Sequence, residues 1–478
     1  MMRSTLEEIF GKKLVISALV IFWGIVFTLT VLAFSSYAGD GYIYIVFTVV
    51  SNLLLYFGFR KNAIFFDTFI GIFLWLGFWL KLSIRVVFSE GNFLVATGLF
   101  DASGAEYDRA LLVASCGITG FLLSSYVRSK LSFLYPTNIE PSRQSGLFLF
   151  YLKYRKLIWI GFVVLIVATA VSNIYFGVYQ RGSITKTVLP FGLNGIFKWL
   201  LLFGLASISA LILRFEFESK KQTFLPIMIL GFFETLVSNV SLLSRGMILN
   251  GGALLYGVLA SLKPYSIRSS LRFFLASGLI FSILFLVSVY IVNYLRSVDY
   301  HSTIATDNAA LIQNAQNMTT PLFIDRWVGM EGVMAVSSYP NLGWDVWTKA
   351  LNESYNENKT SFFDNNFIES PYIDTDKSKH HFISLPGIIA FFFYPGSFLF
   401  LFVSMFLLGT LAALIEKMVF RLGGKNLILC SLIAQVIAFR FASFGYVPKQ
   451  SYLLFGALVL NVLIIYIIDK FLSRLYKT

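Results

Sequence analysis

Long uninterrupted apolar runs alternate along this chain with short polar segments, most of them basic. The first run covers Leu14 to Phe34. Others follow at about 42–59, 63–84, 110–127, 157–177, 196–214, 224–242, 247–262, 273–293, 397–416, 427–443 and 452–469. Most are about 20 residues long, the length an α-helix needs to cross roughly 30 Å of hydrocarbon. The ten-residue alternations of an outer-membrane barrel are missing. The pattern predicts an all-α polytopic membrane protein with about 12 transmembrane helices. The run starting at Met247 is the shortest. No small-residue cleavage site follows the first run, so it reads as a helix that is kept.

Composition strengthens this reading. Of the 478 residues, 57% are apolar and 13% charged, and Phe alone contributes 51. A soluble globule must keep a polar surface and cannot bury so much apolar area. In a membrane, lipid covers the excess. The net charge of +13 would point to nucleic acid in a soluble protein. Here the basic residues fall in every second loop, as cytoplasmic loops require, so no nucleic-acid partner is implied. Both termini then face the cytoplasm. Cys116 and Cys430 lie in separate apolar runs, which argues against a disulfide or thiolate metal site. No internal repeat of the kind found in many transporters is visible.

The connecting segments divide the chain. Residues 1–293 hold the first nine helices. Residues 294–382 form one large loop on the outside, a partly helical cap. Residues 383–478 hold a short apolar stretch and the last three helices. The large loop carries eleven acidic residues against six basic ones, opposite in sign to the whole chain. Thr320-Pro321 reads as an N-cap and first-turn proline. The helix it starts would run through "LFIDRWVGMEGVMAVSSYP" to just before Pro340, and a second would cover Trp344 to Asn356. Further on, Pro386-Gly387 and Pro395-Gly396 bracket a stretch too short to span. It reads either as a re-entrant helix or as the start of a kinked span near Ile383.

The informative cations are those on the outside. Arg181 and Gly182 stand in "YQRGS", Arg245 and Gly246 in "LSRGM", and Arg326 in the large loop. Glycine lets main-chain N–H groups approach an anion. The guanidinium adds a fixed fork that matches phosphate oxygens. An Arg-Gly pair in each of two neighbouring loops would make a diphosphate cradle. The plainer alternative is that each arginine meets a lipid headgroup or a loop carboxylate. On a continuous helix, Arg326, Gly329, Met330 and Val333 would share one face, and Trp327 and Glu331 another. Asp325 and Glu331 are carboxylates able to take a proton from a sugar hydroxyl. His380 and His381, where the loop returns to the membrane, are further candidates for a base or phosphate donor. Asp374-Thr375-Asp376 has a metal-binding look, but three residues in a hydrophilic loop do not make a metal site, and none is assigned. Asp67, Lys81, Arg85, Lys198, Glu234 and Arg440 lie inside spans, where ionisable groups normally face the bundle interior. The outer ones among them would line an electropositive cavity. No Walker lysine or Ser-His-Asp order appears.

"YQRGS", "LSRGM", "DRWVGMEGVMAVSSYP" and "PGIIAFFFYPGS", set in about twelve spans with one large late outside loop, resemble the Wzy-type O-antigen polymerases. As architecture the resemblance covers most of the chain. It implies a bacterial inner-membrane protein whose large loop is periplasmic. The implied reaction is a glycosyl transfer without a metal or other cofactor. The donor is a glycan on undecaprenyl diphosphate and the acceptor a sugar hydroxyl of another lipid-linked unit. Partners implied are that lipid-linked oligosaccharide, membrane lipid and a chain-length regulator protein. Carried onto this sequence, Arg181, Arg245 and Arg326 hold the diphosphate, with Gly182, Gly246, Arg440 and Trp327 beside the substrate. The base is one of Asp325, Glu331, His380 and His381. The alternatives are a lipid-linked oligosaccharide flippase, an O-antigen ligase, or an acyltransferase using a histidine.

Overall fold

The computed structural model describes residues 11–131, 133–136, 139, 145–219, 224–244, 246, 248–262, 264, 271–301, 324–325, 327–369 and 379–476. Among them the regular structure is helical throughout. The helices are α1 (Lys12–Ser36), α2 (Gly41–Phe59), α3 (Phe65–Phe88), α4 (Gly104–Lys130), α5 (Gly146–Phe176), α6 (Pro190–Glu218), α7 (Phe224–Ser241) and α8 (Ile248–Leu262). There follow α9 (Leu271–His301), α10 (Met330–Ser337), α11 (Trp344–Leu351), α12 (Phe362–Asn366), α13 (Ile388–Phe392), α14 (Phe398–Leu422), α15 (Leu427–Ala442) and α16 (Ser451–Leu475). Among the described residues nine helices are long and apolar enough to cross a membrane, and three shorter apolar ones match the runs near 224–242, 247–262 and 427–443. The protein is therefore a multi-pass membrane protein.

Side-chain caps start several of these helices. Asp40 Oδ1 accepts from Tyr42 N at 2.8 Å at the head of α2. Asn426 Oδ1 accepts from Ile428 N at 3.0 Å at the head of α15. Each satisfies an N–H that the first helical turn leaves without a partner.

The chain forms two compact units. One comprises residues 1–135, 322–415 and 437–453, the other 136–321, 416–436 and 454–478. In the first, α2 packs on α3 and α4. Glycines allow the close crossing: a Cβ on Gly58 would stand 2.8 Å from the Asp67 carbonyl oxygen, and one on Gly71 3.1 Å from that of Leu54. With no hydrophobic drive between helices in lipid, such small residues and interhelical hydrogen bonds hold a bundle together. The bonds here are Trp79 Nε1 to Thr48 Oγ1 at 3.1 Å, Trp75 Nε1 to Asn52 Oδ1 at 3.0 Å, and the Tyr44 and Ser83 hydroxyls at 3.0 Å. Between Trp75 and Leu80, α3 widens into a π-helical turn.

The second unit gathers α5 to α9. Here α7 packs on α5, α6, α8 and α9. Two of its buried acids are paired with arginines, while Glu234 on α7 accepts from the Ser238 hydroxyl at 2.8 Å. Glu216 accepts from Arg155 Nε at 2.6 Å and Nη2 at 3.0 Å, and from the Tyr151 hydroxyl at 2.5 Å. Arg214 Nε donates to Glu218 at 2.9 Å one turn along α6.

The cap departs from the sequence expectation. The helix expected to run from Pro321 to before Pro340 is helical only as α10, Met330–Ser337, and the described residues before Met330 are not helical. Thr320-Pro321 lies outside the described residues. The reason is tertiary. Lys81 takes the carbonyl oxygens of Asp325 and Trp327, which a helix would need for its own ladder. The Val328–Gly329 backbone also presses directly on Gly77: a Cβ on Gly77 would overlap the Val328 carbonyl oxygen, and one on Gly329 the Gly77 main chain. The shared faces drawn on a continuous helix therefore do not exist before Met330. The second helix ends at Leu351, short of Asn356. The bracketed apolar stretch forms the five-residue α13, separate from α14 and with Ile388, Ile389, Ala390 and Phe391 all buried. It packs on α4 and α10.

Candidate functional site

Two groups of candidate residues take shape, one in each unit. In the second unit, α5 ends at Phe176 and Gly177 turns the chain with φ 56°. Asn173, fully buried on the last turn of α5, then fixes the loop that carries Arg181. Its Nδ2 donates to the Tyr179 oxygen, the Ser241 oxygen and Ser241 Oγ, each at 2.9 Å, and its Oδ1 accepts from Tyr179 N at 2.9 Å. One amide thus ties the loop after α5 to the end of α7. Two residues later, Arg181 N donates to the Leu242 oxygen at 2.9 Å. Gly182 follows with φ 89°.

The facing turn leaves α7 through Leu243, whose φ of 48° is unusual for a branched apolar residue. Arg296, on α9, donates from Nε to the Leu243 oxygen at 3.0 Å. Gly246 N donates to Ser244 Oγ at 3.3 Å. Arg245 lies outside the described residues, but both of its neighbours belong to this turn. Lys198, on α6, places its ammonium 4.7 Å from the centre of the Tyr179 ring. One main-chain bond, from Arg181 N to the Leu242 oxygen, thus holds the loop after α5 against the end of α7. The half-buried Arg181 side chain has no ion-pair or hydrogen-bond partner among the described residues.

Arg296 was not singled out in the sequence. Its signal was there: it is a cation just beyond a span expected to end on the outside, like Arg181. What hid it was its place at the tail of a long helix instead of in a glycine-bearing loop.

In the first unit, Asp325, Trp327 and Glu331 gather around α3. Lys81 is 1% exposed and ion-paired with Glu331, itself 4% exposed. The same ammonium donates to the Asp325 oxygen at 3.0 Å and the Trp327 oxygen at 2.9 Å. Burial raises the Glu331 carboxyl above the ordinary range, and Lys81 works against that rise. One turn further, Arg85 Nε donates to Asp325 Oδ1 at 3.0 Å. The Trp327 ring stacks on Phe73 with centroids 5.9 Å apart. Arg326 lies outside the described residues, as does Asp374-Thr375-Asp376.

The other candidates in this unit are engaged elsewhere. His381 Nδ1 is 2.9 Å from the Glu357 oxygen, its Nε2 is enclosed, and its ring lies against Tyr446 and Tyr355. Burial pushes the Tyr446 hydroxyl up to about 12. His380 stacks on Phe382 at 5.6 Å. Arg440 Nη2 donates to Ser451 Oγ at 3.1 Å, with the guanidinium 5.8 Å from the Phe444 ring. Several loop acids are structural staples. Glu353 accepts from Phe362 N at 2.5 Å and from Val447 N at 3.0 Å, holding Val447 at φ 44°. Asp364 accepts from Ser361 Oγ at 2.6 Å and Ser384 N at 3.0 Å.

Among the described residues no three His, Cys, Asp or Glu side chains converge as a metal site requires. Compared with family models, curated proteins and solved structures, the chain matches none. The chemistry must therefore be read from the groups themselves. The second unit offers the Arg181 guanidinium, without a carboxylate partner among the described residues and next in sequence to Gly182, a setting for an anion. The first offers carboxylates held by cations, a setting for proton removal.

Proposed function

We propose that this chain polymerises lipid-linked oligosaccharide repeat units for O-antigen or a related surface polysaccharide. It does so in a bacterial inner membrane, crossing it twelve times with both termini in the cytoplasm and the large loop in the periplasm. A glycan on undecaprenyl diphosphate is the donor. A sugar hydroxyl of a second lipid-linked unit attacks its anomeric carbon, and the diphosphate leaves.

The observation that supports this reading is the bond between Arg181 N and the Leu242 oxygen, 2.9 Å, which holds the loop carrying Arg181 and Gly182 against the end of α7, three residues before Arg245 in sequence. A departing diphosphate needs cations and N–H donors already in position, because charge develops on it as the bond to sugar breaks. Arg181 and Arg245, with the Gly182 N–H, supply these. Their loops are held by Asn173 and Arg296, so little reorganisation accompanies the reaction. Arg326 adds a further cation in the large loop. The acceptor hydroxyl loses its proton to one of Asp325, Glu331, His380 and His381. No nucleotide or metal is required.

The test is reconstitution. Purified protein is mixed with lipid-linked repeat units in vesicles, and the glycans are resolved on a gel. A ladder that disappears in Arg181→Ala, at normal protein level, supports the polymerase. Units that instead cross to the other face of the vesicle identify a flippase, and transfer of glycan to lipid A alone identifies a ligase.

A further inference from the structure

Asp325 is held through only one of its carboxylate oxygens. Arg85 Nε donates to Oδ1 at 3.0 Å and Nη2 lies 2.5 Å from the same atom. The remaining arm of that guanidinium, Nη1, donates to Ser89 Oγ at 3.2 Å. The Asp325 main chain is fixed from the other side by Lys81 Nζ, 3.0 Å from its carbonyl oxygen. Oδ2 has no partner among the described residues, and the side chain keeps 11% exposure. The carboxylate is thus oriented, charge-balanced and open at one oxygen.

The other candidate bases lack that combination. The Glu331 carboxylate is closed off, 5% exposed at the side chain and joined to the Lys81 ammonium. Taking its proton acceptor away from Lys81 would leave a buried ammonium unpaired, a cost of several kcal/mol. His381 has its Nδ1 at a carbonyl oxygen and its Nε2 enclosed. His380 has an enclosed Nδ1 and a ring stacked on Phe382.

We propose that Asp325 is the base that takes the proton of the acceptor sugar hydroxyl on Oδ2, with Arg85 as the positioning residue that fixes Oδ1. The inference rests on the polymerase reading. In the step, the acceptor oxygen forms the new bond to the donor's anomeric carbon. The bond from that carbon to the diphosphate oxygen breaks, and the diphosphate departs with its electron pair. The acceptor proton passes to Asp325 Oδ2. The lone pair left on Oδ2 is the acceptor site, and the adjacent guanidinium keeps the carboxylate pointed. Arg85 contributes no bond to the substrate. It removes the side-chain freedom that would otherwise scatter Oδ2 away from the hydroxyl.

The experiment uses the full chain in vesicles with purified lipid-linked repeat units, and reads kcat and KM with and without added sodium formate. Loss of a positioned base costs roughly 10²- to 10⁴-fold in rate. Asp325→Ala is expected to lose kcat in that range with KM nearly unchanged, and to recover part of it when formate enters the space left by the carboxylate. Arg85→Lys is expected to lower kcat about tenfold, again with KM nearly unchanged, because the single ammonium does not reproduce the fork. Wild-type rates in Asp325→Ala, or a loss that formate does not relieve, overturn the assignment. If Asp325→Ala does not reach the membrane, Asp325→Asn is read in its place. A normal rate in that variant overturns the assignment, and a kcat-only loss supports it. Absence of a ladder from the wild-type protein itself overturns the polymerase reading and the base with it, an outcome distinct from a ladder that Asp325 does not affect.

Discussion

Lys81 and Trp327 stand far apart in the sequence, yet the lysine Nζ donates to the tryptophan carbonyl oxygen at 2.9 Å. The same ammonium reaches the Asp325 oxygen and the Glu331 carboxylate. A single buried cation thus shapes the segment from Asp325 to Glu331, including both main-chain neighbours of Arg326. This has an energetic signature. Lys81→Met leaves Glu331 buried without its counter-charge and is expected to cost about 3–5 kcal/mol of stability. Lys81→Met combined with Glu331→Leu removes both charges and is expected to regain most of it. Unfolding in detergent checks the pair, and equal stability of the single variant and wild type would contradict the arrangement.

Asn173 is the corresponding anchor in the second unit. Asn173→Ala strips partners from the Tyr179 N–H and from two carbonyl oxygens at the end of α7 and in the loop. Each buried polar group left without a partner costs about 1–3 kcal/mol. The expected result is a loss of about 2–3 kcal/mol, together with faster hydrogen exchange across residues 177–183. Unchanged exchange there would show that the loop is held by something else.

Arg296 holds the turn that precedes Arg245 through its bond to the Leu243 oxygen. Arg296→Gln is expected to reduce polymer formation about tenfold, equivalent to about 1.4 kcal/mol. Membrane level should stay normal, because α9 remains a long apolar helix. The ladder assay reads the loss. A normal ladder would mean that the turn keeps its shape without this contact.

Two glycines of the first unit provide a test of packing. A Cβ on Gly332 would overlap the Pro386 carbonyl oxygen, whereas one on Gly343 meets nothing within 4 Å. Gly332→Ala forces α10 and the start of the α13 segment apart and is expected to cost about 1–3 kcal/mol. Gly343→Ala is expected to be nearly neutral. Thermal melts of the two variants side by side decide it.

Much of this was legible in the sequence. The apolar runs became helices at nearly their expected positions, because a run of that length has no other way to satisfy its backbone in lipid. Legibility failed where a distant residue took over the local backbone. Nothing in "FIDRWVGMEG" tells that Lys81 will claim two of its carbonyl oxygens, so helical periodicity was extended too far. Nor does anything in "HHF" tell that the His381 ring will face Tyr446 and Glu357.

The sequence by itself determined that this is a helical membrane protein and which loops carry arginine beside glycine. Both follow from local properties: hydrophobic length, and residue types that lie next to one another. The tertiary structure alone decided which ionisable groups remain available. Glu331 and Asp325 are six residues apart and chemically alike. One is closed by a buried ammonium and the other keeps an open oxygen, because α3 presents Lys81 and Arg85 to them at different depths. Burial and the position of the opposing charge belong to the folded chain, and they separate a closed carboxylate from one with an oxygen to spare.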